Sequence, residues 1–143
     1  MSSITDELRN ENYEIIKILA NSKRFTMRTL QGRKTLFDNK DKLLNHIKKE
    51  DDTIHHTLKN ATGHHPSLKQ SLEMFKNEVE GTSKIVKGFF IKHSANDGTK
   101  ELSDDFNILY TMLTHRIEKE ENIFYAEYDD IQKEEELLKN MLL

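Results

Sequence analysis

The sequence predicts an all-α, up-down-up-down four-helix bundle, and three observations carry that prediction. Glycine and proline are scarce, five and one in 143 residues, and they leave four long segments. Within each segment apolar residues recur at about 100° per residue, the helical period. No stretch alternates apolar and polar residues over a useful strand length, and no tandem repeat occurs. A content of 35% hydrophobic and 33% charged residues suits a small elongated bundle, in which each helix buries one stripe and solvates the rest. At this length residues 1–143 are expected to form a single domain.

The first helix is predicted over about Ser3 to Ala20, with Leu8, Asn12, Ile15 and Leu19 aligned. A break around Asn21 to Thr26 leads to the second, from about Thr26 or later to Lys59, which Gly32 breaks or kinks. Its stripe is Leu43, His46, Ile47, Glu50, Ile54 and Leu58. A turn over Asn60 to Pro66 precedes the third helix, Pro66 to His93, with Pro66 in the first turn. Leu72, Phe75, Val79, Val86 and Phe90 share its inner face. After a turn over Ser94 to Lys100, the fourth runs from about Leu102 to the early 130s, with Ser103 as its cap. It aligns Phe106, Leu109, Leu113, Ile117, Glu120, Phe124 and Tyr128, with Arg116 at the edge of the stripe. The tail from Gln132 continues or frays that helix, and its Met141-Leu142-Leu143 end offers a packing contact.

Composition excludes several classes of function. The net charge of −3 argues against nucleic acid as a partner. The absence of cysteine excludes disulfides, thiolate metal sites and thiol nucleophiles. No apolar run approaches the roughly 20 residues that cross a bilayer, so no membrane partner is expected. The start MSSITDELRNEN lacks the basic and apolar regions of a signal peptide, and a cytoplasmic location is the expectation. There is no glycine-rich phosphate loop and no Ser/His/Asp arrangement, so the chain is not expected to be an enzyme. The partner left over is an unidentified small molecule or protein.

Three of the four stripes carry polar residues at mid-depth: Asn12, His46 with Glu50, and Arg116 with Glu120. Glu50 and Glu120 lie in two similar segments, LLNHIKKEDDTI and LTHRIEKEENIF. A carboxylate inside a bundle is costly unless it binds a metal or pairs with a cation. The two acids are therefore metal ligands, or they are acceptors for Arg116, whose planar fork suits buried carboxylates. His46 is a metal ligand or a core histidine bonded to a neighbour. His115 lies nearly opposite the inner stripe, and only a local helical bulge would turn it inward. His55-His56 and His64-His65 flank the second turn, as polar residues near a helix end or as a pair-wise trap for a transition metal. His93 is expected to cap the end of the third helix.

The motifs in this order resemble the hemerythrin-like (HHE cation-binding) family of four-helix bundles. LRNENYEIIKIL is similar to that family's first-helix segment, LLNHIKKEDDTI to the second, FKNEVEGTSKIVKGFF to the third and RIEKEENIFYAEY to the fourth. The resemblance spans about residues 6 to 130 and implies the bundle fold and a non-heme iron site. The family pattern places histidine ligands on all four helices. Here those positions hold Asn12, Val79 (Glu78 with a one-residue slip) and Arg116, while His46, Glu50 and Glu120 remain. Some members space the last histidine and carboxylate as His115 and Glu120 are spaced, which makes His115 a further candidate. Arginine has no lone pair to give a cation, so a complete di-iron centre is not expected. Two functions are compatible with this pattern. One is a binding, sensing or regulatory module that has lost the di-iron site, with Asn12, His46, Glu50, Arg116 and Glu120 as a buried polar cluster and no cofactor. The other is an iron-binding protein for dioxygen binding, sensing or iron handling, with a partial site at His46, Glu50, Glu120 and His115.

Overall fold

The computed structural model describes residues 3–61 and 69–142, and among them there is no strand. The chain runs α1 (Ile4–Phe25), α2 (Leu30–Phe37), α3 (Lys40–Glu50), a π-helical turn (Asp51–His55), α4 (His56–Ala61), α5 (Lys69–Lys92), α6 (Lys100–Lys119), a second π-helical turn (Glu120–Phe124) and α7 (Tyr125–Met141). Four arms form the bundle: α1, α3 with α4, α5, and α6 with α7. The segment α2 packs against α1 at the turn between the first two arms.

The order of buried residues along each arm gives its direction. The core divides into an upper cluster, including Ile15, Leu19, Leu36, Leu43, Ile47, Val86, Phe89, Phe90, Leu102, Phe106 and Leu113, and a lower cluster of Leu8, Ile54, Leu58, Ala61, Phe75, Val79, Phe124, Tyr125 and Ile131. The first arm passes from lower to upper, the second from upper to lower, the third back up and the fourth back down. Each consecutive pair is antiparallel, as the expected topology requires. The inward polar residues fall at the junction of the two clusters.

Helix ends follow their chemistry. Ser3 opens α1 with a capping box: its hydroxyl accepts from the Asp6 N–H at 3.1 Å and the Asp6 carboxylate accepts from the Ser3 N–H at 3.4 Å. The expected end of the first helix near Ala20 is five residues early. Ser22 is fully buried and α1 continues to Phe25, where Thr26 takes a φ of 66° and stops it. The second segment starts with Thr29 as the N-cap of α2. Gly32 is not where the helix breaks; it lies inside α2. A Cβ there would sit 1.9 Å from the Thr26 carbonyl oxygen, so its missing side chain lets α2 fold tightly against the end of α1. The actual break falls at Asp38–Asn39. On the fourth arm the cap is Thr99, not Ser103: the Thr99 hydroxyl accepts from the Leu102 N–H at 3.2 Å, so α6 begins at Lys100. Pro66, His64, His65 and Leu143 lie outside the described residues.

His93 does not act as a simple helix cap. It is buried, and its Nε2 lies 2.7 Å from the Asp105 carboxylate across the turn between α5 and α6. Lys92 reaches the same carboxylate at 2.9 Å and Glu101 at 2.7 Å. The Lys92 bond, then that of His93, holds Asp105 below the usual carboxylate range.

Two outcomes are expected. Gly32→Ala should destabilise the fold by roughly 1–3 kcal/mol, the range for forcing atoms into a packed site, as read by urea unfolding; an unchanged midpoint would mean that α2 can move away freely. A depressed carboxylate stabilises above its unfolded pKa of about 3.9 and loses that contribution as pH falls through the lower folded value. Asp105→Asn should therefore melt below wild type at neutral pH, and the gap should close below about pH 4. A gap that stays constant down to about pH 2 would remove Asp105 as a linked group.

Candidate metal centre

The polar layer is built from helical positions on three of the arms. On α3, His46 and Glu50 are one turn apart and are 4% and 1% exposed. On the fourth arm, Arg116 and Glu120 repeat that spacing and are 1% and 0% exposed. Asn12, at 1%, faces them from α1. The third arm presents apolar Val79, buried in the lower cluster.

Both carboxylates sit at the start of π-helical turns, Glu50 just before Asp51–His55 and Glu120 as the first residue of Glu120–Phe124. A π turn inserts one extra residue and rotates the helix beyond it. The adjacent Phe124 and Tyr125 can therefore both point inward, each fully buried, although an ideal helix would hold them about 100° apart. Tyr128, expected on the inner stripe, is only half-buried.

This rotation brings Tyr125 into the site. Its hydroxyl donates to Glu50 Oε2 at 2.9 Å and accepts from Asn12 Nδ2 at 2.8 Å. Asn12 Nδ2 also donates to Glu121 at 3.2 Å. Burial, then the charge of Glu50, pushes the Tyr125 hydroxyl up, so it stays protonated and remains a donor. His46 bridges the layer to the surface. Its Nε2 lies 2.9 Å from Glu50 Oε1, close enough for charge contact but poorly directed for a hydrogen bond. Its Nδ1 lies 2.7 Å from Glu11, which takes Lys49 at 2.6 Å. Burial alone would lower the His46 pKa; Glu50 and then Glu11 outweigh it and hold it above the ordinary value. With His46 protonated, the inner cluster carries two positive and two negative groups.

Arg116 lies between the acids. Its Nη2 is 3.5 Å from Glu50 Oε1 and its Nε is 3.5 Å from Glu120 Oε2. The fit is loose. Both Glu120 oxygens, Arg116 Nε and Nη1, His46 Nε2 and Asn12 Oδ1 are buried without a hydrogen-bond partner. A cavity of about 10 Å³ lies among Ile15, Leu43, His46, Glu50, Arg116 and Glu120, the space of a single water-sized centre.

The expected polar cluster of Asn12, His46, Glu50, Arg116 and Glu120 is thus brought together. His115 is not part of it. Its side chain is 58% exposed and lies 3.6 Å from Glu78, on the outer side of α5 and α6. The helix does bulge, but after Glu120, where it cannot turn His115. Among the described residues, one group of metal-binding side chains has its donor atoms within 4.8 Å of one another: His46, Glu50 and Glu120. Three protein donors fit one small divalent cation. Arg116, 3.5 Å from both acids, has no lone pair to add to that set. The residues missed from the sequence are Tyr125, Glu11 and Lys49.

A family model described as the hemerythrin HHE cation binding domain matches residues 3–128. No curated protein and no solved structure matches the chain. With the bundle, the His46–Glu50 pair and a match over most of its length, the chain belongs to the hemerythrin HHE cation-binding domain family.

Proposed function

We propose that this chain is a non-enzymatic binding or regulatory module in which an arginine–carboxylate network stands where the family builds a two-iron centre. The observation that supports this is Arg116, 1% exposed and 3.5 Å from both Glu50 and Glu120. A fixed guanidinium neutralises inward carboxylates without a metal and repels a cation arriving beside it. Tyr125, itself held by Asn12, donates to the far oxygen of Glu50, and His46 links the layer to Glu11, which binds Lys49. The expected setting is cytoplasmic, with a protein or small-molecule partner.

A second reading is a mononuclear site. The unbonded oxygens of Glu120 and the unbonded His46 Nε2 favour it. Glu50, Glu120 and neutral His46 would hold the ion, which when bound supplies Lewis-acid or, for iron, redox chemistry. Tyr125 would then orient Glu50, as outer hydrogen bonds orient ligating carboxylates.

Protein purified without a histidine tag and loaded anaerobically with excess ferrous iron is expected to retain at most about one iron per chain, the capacity of a three-donor set. About two irons with an oxo-bridge absorption band would overturn both readings. In chelator, Arg116→Ala should destabilise the chain by about 3–5 kcal/mol, because two buried carboxylates lose their cation. Glu120→Gln should cost less, since it keeps shape and polarity. A loss below about 1 kcal/mol for Arg116→Ala, typical of an exposed pair, would refute the network.

A further inference from the structure

The upper end of the bundle is basic, although the chain as a whole carries a net charge of −3. From Ile15 to Phe37 the sequence holds six lysines and arginines and no acid. Elsewhere cations meet carboxylates across the helices, as Lys42 meets Glu14 and Lys49 meets Glu7 and Glu11. Lys23 and Arg28 are different. Lys23 lies 4.3 Å from the centre of the Tyr110 ring, and among the described residues neither it nor Arg28 has a carboxylate at ion-pair distance.

These two cations line a cleft of about 460 Å³ between the α1–α2 turn and α6, within the size range of small-molecule sites. Its apolar part is Met27 and Phe106, both buried. Thr26, Ser103 and Asn107 add hydroxyl and amide groups, and among the described residues no acid lines it. The acids at the start of α6 are already taken: Lys92 holds Glu101 and Asp105, and Lys100 lies 4.0 Å from Asp104. The turn is fixed before any ligand arrives. Arg33 Nη1 donates to the Met27 and Arg28 carbonyls at 3.0 and 2.9 Å. Gly98 makes room for that guanidinium, since a Cβ there would lie 2.6 Å from Nη1. Thr26 has a φ of 66° and a ψ of 151°, backbone that glycine adopts without strain and a β-branched residue does not. A threonine kept at this position places a side chain on the cleft where the backbone alone favours none.

We propose that this cleft binds a small organic phosphate, with Lys23 and Arg28 on the phosphoryl oxygens and the body of the ligand against Met27 and Phe106. A phosphomonoester carries close to two negative charges at neutral pH, which matches two cations that have no acid of their own. Guanidinium and ammonium groups are strong donors to phosphate oxygens. The hydroxyls of Thr26 and Ser103 and the Asn107 amide add neutral donors, and the nearby start of α6 favours an anion through its dipole. The site is separate from the polar layer, and it does not depend on what Glu50 and Glu120 bind.

NMR titration of the metal-free full chain with phenyl phosphate tests it. Amide shifts are expected at Thr26, Arg28, Ser103 and Asn107, with a Kd of about 1 mM for a ligand of this size. Inorganic phosphate, which cannot use the apolar part, should bind about tenfold more weakly. Lys23→Ala with Arg28→Ala, both at exposed positions, should keep the wild-type spectrum elsewhere and weaken phenyl phosphate by about tenfold or more. Thr26→Gly, which suits the backbone, should weaken it while the helices stay formed. Lys139→Ala, on the exposed end of α7, should bind as wild type does. Equal affinity for the two phosphates together with indifference to the Lys23 and Arg28 substitutions would mean an adventitious ion only and would overturn the proposal. So would the absence of shifts at about 10 mM phenyl phosphate. Binding to phosphatidic acid vesicles in place of phenyl phosphate would put the phosphate on a lipid surface and overturn a soluble ligand.

Discussion

Two carboxylates at the centre of a bundle must be neutralised, and the middle of this molecule is arranged around that requirement. Glu50 and Glu120 are fully buried on facing arms. An isolated ionised carboxylate in such surroundings would carry several kcal/mol of desolvation cost. Arg116 supplies one permanent positive charge between them, and His46 supplies a second when protonated. Around this layer the other side chains have defined tasks. Tyr125 donates to the outer oxygen of Glu50 and accepts from Asn12, Glu11 takes the far side of His46 and binds Lys49, and the two apolar clusters keep water away from above and below.

The paired π turns belong to the same arrangement. Each succeeds a one-turn pair, His46–Glu50 or Arg116–Glu120, and each adds one residue. On the fourth arm the result is that Tyr125, outside the inner stripe of an ideal helix, faces Glu50 while Phe124 remains in the core. Runs of π geometry often coincide with functional sites. The family match places this chain among cation-binding bundles. The loose 3.5 Å approach of Arg116 to both acids leaves both Glu120 oxygens without a hydrogen bond, beside the group of metal-binding side chains that the described residues bring together.

Much of this is legible in the sequence. Periodicity alone locates the four arms, because each buries one stripe at helical spacing, and it puts Asn12, His46, Glu50 and Glu120 inside. It also puts His115 outside, against the attraction of its spacing from Glu120. What it misses has physical causes. Phasing at a constant angle cannot register an inserted residue, so it sets Tyr128 on the stripe in place of Tyr125. The signal is present in Phe124-Tyr125, two large adjacent aromatics that one helical face cannot hold. The start of the fourth arm is ambiguous in sequence because two hydroxyl residues, Thr99 and Ser103, can each cap it. The break expected at Gly32 is instead a close approach, which requires the same residue for a different reason. Glu11 and Lys49 look like ordinary surface charges until the fold brings α1 beside α3.

The division of the core has a consequence for how the molecule opens. The upper half is braced by α2, which packs against α1, and by the His93–Asp105 link at the far turn. Among the described residues the lower half is tied by side chains alone, with Thr5 donating to Asp129 at 2.9 Å and Ser71 to Glu127 at 2.8 Å, and below Ile131 its last helix runs into solvent. Polar contacts, less tolerant of misalignment than apolar ones, are what join the halves. Amide hydrogen exchange in such a molecule is governed by separate units, not a single one. The lower ends of α1, α4, α5 and α7 would exchange through partial opening, while the amides of α2 and the upper parts of α5 and α6 wait for global unfolding.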